Sequence, residues 1–361
     1  MREQMPQMPV SFEEQPNSSE QLPQENEQEK MLEKLTGLVG DVYAERLDKK
    51  VQAGEATAVE IGASLKDNLD HVGQVKDNVD FIIDEIKAGR MTDEIIPRDE
   101  NGQAIFDDRV LKTMTVLHDV AKINEKGDLD TFHHHDRDKV EKILVDEQSK
   151  VHEFLKNNGF APEEIAFMVD GIERHSRRTD FIARYFDNRK RQEIADLPRP
   201  EGVLEHVILS DADILTQSRL EQGVKKIVCS RLTTEFFRQT DTIDGQHSFA
   251  KTLSSTLDSA KKVAEAMHFK VTKEKNAQQL DQVLSFATWL EDKQKVVELD
   301  EIGRERLQEL ALEKSTKTFG SEDEKIAWEK KEVIERNKIF VAKKKRFDEL
   351  ILEFLDTTQT K

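Results

Sequence analysis

LKTMTVLHDVAKI, residues 111–123, is the stretch from which the fold of this chain is best read. Its apolar positions Leu111, Met114, Leu117 and Ala121 recur three and four residues apart, and on a helix they form one face. His118 falls on that face beside Asp119, with Lys122 four residues after the histidine. On a helix His118 and Lys122 project from one side, while Asp119 is rotated by about 100° and can still converge on a nearby ion. Imidazole nitrogen and carboxylate oxygen suit a divalent transition metal. A His-Asp pair is most often an ordinary pair on a helix surface. Burying one among Leu111, Met114 and Ala121 is costly without partners.

Working outward, most of the chain from about Lys30 to Asp356 carries helical periodicity. Glycines number 15 and prolines 8, and no run shows a convincing strand alternation. The expected fold class is all-α. Val72, Val75, Val79, Ile82 and Ile86 give one apolar face, and the polar stretch IIPRDENGQAIFDD (Ile95–Asp108) predicts a loop. Val140, Ile143, Leu144, Val151, Phe154 and Leu155 mark a third helix, which stops at Asn157-Asn158-Gly159. A fourth starts at Ala161-Pro162-Glu163-Glu164, with proline and acids in its first turn. Leu204 to Leu215 predicts a strongly apolar fifth.

The two ends differ from this middle. Residues 1–29 are rich in Gln, Glu, Pro, Ser and Asn, and too poor in aliphatic side chains to offset ordering entropy, so a disordered acidic tail is expected. Near the other end Ile326, Val333, Phe340, Phe347 and Phe354 fall every seven residues, beside a column of Ala327, Ile334, Val341 and Leu355. A coiled-coil seam needs a second apolar column three or four places on, and those places hold mostly Glu, Arg, Lys and Asn. The pattern therefore predicts a helix docked on a neighbouring surface, with the basic run Lys343–Arg346 as a solvated face.

Bulk properties limit the function. The net charge is −18, which argues against strong nucleic-acid binding, since gripping that backbone needs a basic face. A small anionic substrate needs a metal or local cations to offset the field. The single cysteine, Cys229, allows no internal disulfide and has no specific catalytic partner. No segment approaches the roughly 20 apolar residues needed to span a bilayer. The N-terminus lacks the apolar core of a secretory signal. A soluble, cytoplasmic protein is expected.

Partners for the doublet exist elsewhere. His71 begins the face of Val75, Val79 and Ile82, and His175 follows Met168 and Ile172 on one apolar side. Asp211 and Asp213 interrupt the apolar run VILSDADIL, where two carboxylates are expensive unless they meet cations or donors. Singly, each is more often a satisfied core group than a ligand. Together they are several inward-facing ligand types on one helical chain.

A His, then a His-Asp doublet, then a distant Asp resembles the mark of the HD superfamily of metal-dependent phosphohydrolases. The resemblance covers about Asp67 to Leu220. It implies a helical HD domain over 30–270 (core about 67–220) with a C-terminal helical extension over 271–361. It also implies metal ligation by His71, His118, Asp119 and Asp213. Asp213 is preferred to Asp211 because the family's last ligand usually follows alanine and precedes an apolar residue, as in Ala212-Asp213-Ile214; Asp211 would support it. HDVAK looks like the HD-IGK form, in which the lysine, here Lys122, faces phosphate.

Some branches add two histidines that bind a second metal. His175 in IERHSRR matches one. His133-His134-His135-Asp136 offers the other, with His134 or His135 preferred for standing just before a helix, against a plain solvated loop. The chain departs from the family in three ways: it has no Gly-Tyr-Pro signature, no Glu-Asp pair after the doublet, and an insertion at about Met91–Asp108. The resemblance implies one or two divalent ions (Mn, Fe, Co, Zn or Mg) and hydrolysis of a phosphoester or phosphoanhydride, with a nucleotide as expected substrate. Asp119 or Asp213 would orient water, and Lys122, Arg177 and Arg178 would hold phosphate. The rival expectation is a silent HD-like scaffold that binds a protein partner, or forms a homo-oligomer, through its C-terminal helices.

Overall fold

The computed structural model describes residues 21–53, 58–91, 96–128, 136–185, 203–216 and 267–359. Among them the fold is all-α. Its helices are α1 (Gln21–Gln52), α2 (Ala58–Lys87), α3 (Asp108–Leu117), α4 (Arg137–Leu144), α5 (Lys150–Asn157), α6 (Pro162–Tyr185) and α7 (Leu204–Thr216). They continue with α8 (Lys270–Asp292), α9 (Lys295–Glu301), α10 (Arg304–Thr316) and α11 (Glu322–Gln359). No helix among the described residues is long and apolar enough to cross a membrane.

The α2 face read from periodicity is the centre of the main core. Val72, Val75, Val79, Ile82 and Ile86 are all buried there with Leu111, Met114 and Leu117 of α3 and Val207, Ile208 and Leu209 of α7. Each such side chain contributes about 1.5–3 kcal/mol of transfer free energy, so this stripe dictates how the helices pack. α2 lies against α1, α3 and α7, and α6 packs on α3, α4 and α7. Asn78, buried on α2, donates to the Ala212 carbonyl of α7 at 2.9 Å and fixes the register of the two helices.

Several boundaries differ from the sequence reading. Helix α1 starts at Gln21, inside the segment expected to be a tail; residues 1–20 lie outside the described residues. Leu32, Leu35, Val39 and Tyr43 bury one face of α1, and the preceding Gln and Glu are good helix formers that extend it. The single third helix is two. Ser149 caps α5 by accepting from the Val151 amide, and Asp146 accepts from the Gln148 amide, so the chain turns between Leu144 and Lys150. The expected loop is a loop, turning at Gly102, whose φ of 79° suits glycine.

A second core joins Leu280, Val283, Phe286 and Leu290 of α8 to Phe347, Leu350, Ile351 and Phe354 of α11. The C-terminal helix is therefore docked through Phe347 and Phe354 of its pattern, whereas Ile326, Ile334 and Val341 of the same pattern are exposed. The basic run is a solvated face only in part: Lys345 is exposed, but its neighbours Lys343 and Arg346 are drawn inward. Lys343 is 2% exposed, because it lies on the docked stripe with Phe347 and Leu350. Arg346 is drawn into ion pairs with Glu298 at 2.6 Å and Glu353 at 2.8 Å.

Candidate metal centre

The doublet sits where α3 ends. The His118 ring turns back on the last turn of α3, Nδ1 lying 2.7 Å from Thr115 O. After Leu117 the chain tightens into turns, Val120 N donating to Leu117 O and Lys122 N to Asp119 O. The expectation that Lys122 projects one helical turn beyond His118 is therefore corrected. Lys122 comes round the turn and places Nζ 2.5 Å from Asp119 Oδ2.

A carbonyl only accepts, so His118 Nδ1 carries the proton and Nε2 holds the lone pair. Burial lowers the His118 pKa, with Asp119 opposing, so the ring is neutral. His71, on α2, supplies the meeting point. Its Nε2 lies 3.3 Å from His118 Nε2, 3.4 Å from Asp119 Oδ2 and 3.2 Å from Asp213 Oδ1. His118 Nε2 is 3.7 Å from Asp119 Oδ2. Burial pushes the Asp213 carboxyl up, but the hydrogen bond from His71 and the surrounding histidines outweigh it and hold the carboxyl at about 2. The buried group His71, His118 and Asp119 could hold a metal ion.

His175 on α6 stands beside this group, its ring centroid 5.4 Å from that of His118. Its Nδ1 faces the Ile172 carbonyl at 2.7 Å, so its Nε2 too carries the lone pair. Burial first and His118 second lower its pKa to about 4. His133, His134, His135 and Cys229 lie outside the described residues. Arg177 and Arg178 belong to α6, but their side chains are also outside them.

No protein-family model, curated protein or solved structure matches this chain.

Two placements were not legible from the sequence. Asp211, fully buried, turns away from His71. Its carboxylate accepts from the amides of His268 and Phe269 at 3.0 Å, from Thr272 Oγ1 at 2.7 Å and from His268 Nδ1 at 2.9 Å. It anchors the start of α8 rather than supporting Asp213. Tyr43, on α1, donates its hydroxyl to the Asp119 carbonyl at 2.6 Å. Burial raises its pKa well above the usual tyrosine value, with Asp119 reinforcing the shift, so the hydroxyl remains a donor. The signal for Tyr43 was its place on the apolar face of Leu35, Val39 and Leu47, where a hydroxyl must find a partner.

Proposed function

We propose that this chain is a metal-dependent phosphohydrolase of the HD type, acting on a phosphoester or phosphoanhydride, with a nucleotide as substrate class. One observation carries the reading: His118, Asp119 and Asp213 all converge on His71 Nε2, in the His, His-Asp, Asp order that the family resemblance implies. The residues fit a divalent ion chemically. Two imidazoles and two carboxylates suit Mn, Fe, Co or Zn better than Mg, and the Thr115 carbonyl already presents His118 in the ligating tautomer. A divalent ion held there would lower the pKa of a coordinated water and polarise a phosphoryl oxygen.

The chain's own groups supply the rest. Asp119 and Asp213 are the acceptors that can orient water. Lys122, whose ammonium pairs with Asp119 Oδ2, would be the cation that meets a phosphoryl oxygen. Arg177 and Arg178 follow His175 on α6 and are the further phosphate-binding candidates. A second ion would use His175 with His134 or His135.

Elemental analysis after loading with each metal tests this, followed by hydrolysis assays on a nucleotide panel. The wild type is expected to retain divalent metal and the His118→Ala/Asp119→Ala variant none. Stoichiometric metal in that variant places the site elsewhere. With two ions, His175→Ala should lose one; equal content in wild type and variant sinks the two-ion form.

The scaffold reading has its own observation. α11 presents Ile334 and Val341 to solvent on the side away from its docked stripe. Turnover of no phosphoester by the fully loaded protein would favour it.

A further inference from the structure

Helix α1 lies outside the stretch that carries the family resemblance, yet one of its faces is spent on the segment that carries the doublet. Tyr43 donates to Asp119 O, Arg46 to Ile123 O, and Lys49 to Glu125 O, while Lys50 pairs with Asp128 at 2.6 Å. Four donors on consecutive turns of α1 thus follow residues 119–128. The contact is close. Gly127 has φ of 82°, and a Cβ there would stand 2.6 Å from Arg46 O.

These donors answer a need created by the end of α3. Past Leu117 the carbonyls have no helical amide to receive them, and a buried carbonyl without a donor is costly. Asp119 O is met twice, by Lys122 N at 2.8 Å and by the Tyr43 hydroxyl at 2.6 Å. Both lone pairs of that oxygen are then occupied, one from within the turn and one from outside it. With its peptide plane pinned from two directions, Asp119 has little freedom to swing its Cα–Cβ bond away from His71 and His118. We infer that Tyr43 is a positioning residue for the Asp119 carboxylate, which makes α1 part of the metal centre. The inference rests on the metal reading above. Tyr43 touches neither the ion nor the substrate; it acts through the backbone of a ligand.

Groups that hold a ligand in place typically change metal affinity 10- to 100-fold when removed. The test uses the whole 361-residue chain, chelated and then titrated with Co(II), whose visible absorption reports the donor set and its geometry. Tyr43→Phe keeps the buried ring and removes only the hydroxyl. It should bind Co(II) at least 10-fold more weakly than wild type, with an altered visible band. Val39→Ala loosens the same helix one turn earlier and should bind within about 2-fold of wild type. Gly127→Ala pushes the segment off α1 from the other side and should weaken binding as Tyr43→Phe does, so the inference does not depend on one variant's folding. Unchanged affinity and spectrum in Tyr43→Phe, or an equal loss in Val39→Ala, overturn the inference and leave the metal centre standing. Wild type that binds no Co(II), or binds it equally with His118→Ala, overturns the metal reading and this inference with it.

Discussion

Asp211 and Asp213 are two residues apart on α7, and replacing each by alanine should give opposite results. Asp211 holds the first residues of α8. Its removal strands the buried Phe269 amide, the half-buried His268 amide and His268 Nδ1, and removes an anion from a helix N-terminus. Thr272 Oγ1 keeps the Phe269 carbonyl and is not stranded. Three orphaned donors cost about 1–3 kcal/mol each, and the lost charge–helix interaction about 0.5–1 kcal/mol. Relief from burying a carboxylate returns part of this. The net expectation for Asp211→Ala is about 3–4 kcal/mol of lost stability, with metal retained by the folded protein. Asp211→Asn keeps one acceptor oxygen and should lose about half as much.

Asp213→Ala removes a carboxylate that shares His71 with Asp119. In chelated protein it should cost at most about 2.5 kcal/mol, the worth of a carboxyl held at about 2 instead of 3.8, and in loaded protein it should lose metal. Urea unfolding followed by circular dichroism, with and without chelator, separates the two. Amide exchange at Phe269 localises the first effect, since protection there should collapse only in Asp211→Ala. Should chelated Asp213→Ala be as unstable as Asp211→Ala, Asp213 is a structural carboxylate and the assignment of roles fails.

Lys122→Ala should keep its metal and lose about 30- to 1000-fold in rate, equivalent to about 2–4 kcal/mol of transition-state stabilisation; a wild-type rate on the best substrate removes the phosphate role. Gly171→Ala gains about 1 kcal/mol of helix propensity, but its Cβ runs into Met114 Sδ and lies 2.6 Å from His206 Cδ2. Overpacking costs about 1–3 kcal/mol, so thermal unfolding should show a net loss, and a stabilised variant would contradict the close approach of α6 to α3 and α7. Burial lowers the His206 pKa from 6.5 to about 4, so the ring is neutral when folded. The unfolded chain takes up that proton below pH 6.5 and the folded one does not. Stability present above pH 6.5 is therefore lost as pH falls towards 4, by about 2–3 kcal/mol. His206→Gln should flatten that slope; an unchanged difference between variant and wild type from pH 7 to 4 refutes it.

The fold was legible where burial is periodic. The α2 stripe, the apolar run of α7 and the docked side of α11 are all patterns that a helix imposes on its own sequence. Helix ends were less legible, because they turn on single competing hydrogen bonds. After Leu117 the amides of Val120 and Lys122 turn back three residues, and the Ser149 hydroxyl starts a new helix inside one continuous apolar pattern. The consequence for the site was concrete. Lys122 was placed one helical turn beyond His118, and it instead meets Asp119 at 2.5 Å.

The SDAD segment shows why ligand types were readable and their roles were not. Two carboxylates in an apolar helix must have partners, and that much follows from desolvation alone. Positions 211 and 213 are about 200° apart around the axis, so the two must look in opposite directions. Which direction holds the histidines depends on what packs behind α7, and that is α8, more than fifty residues further on. Tyr43 is the same problem met from the other end. Its hydroxyl advertises a need for an acceptor, but the acceptor is a main-chain carbonyl, and every residue has one. Side-chain chemistry marked the candidate ligands, whereas the groups that hold them act on the backbone and carry no signature in the residue they hold.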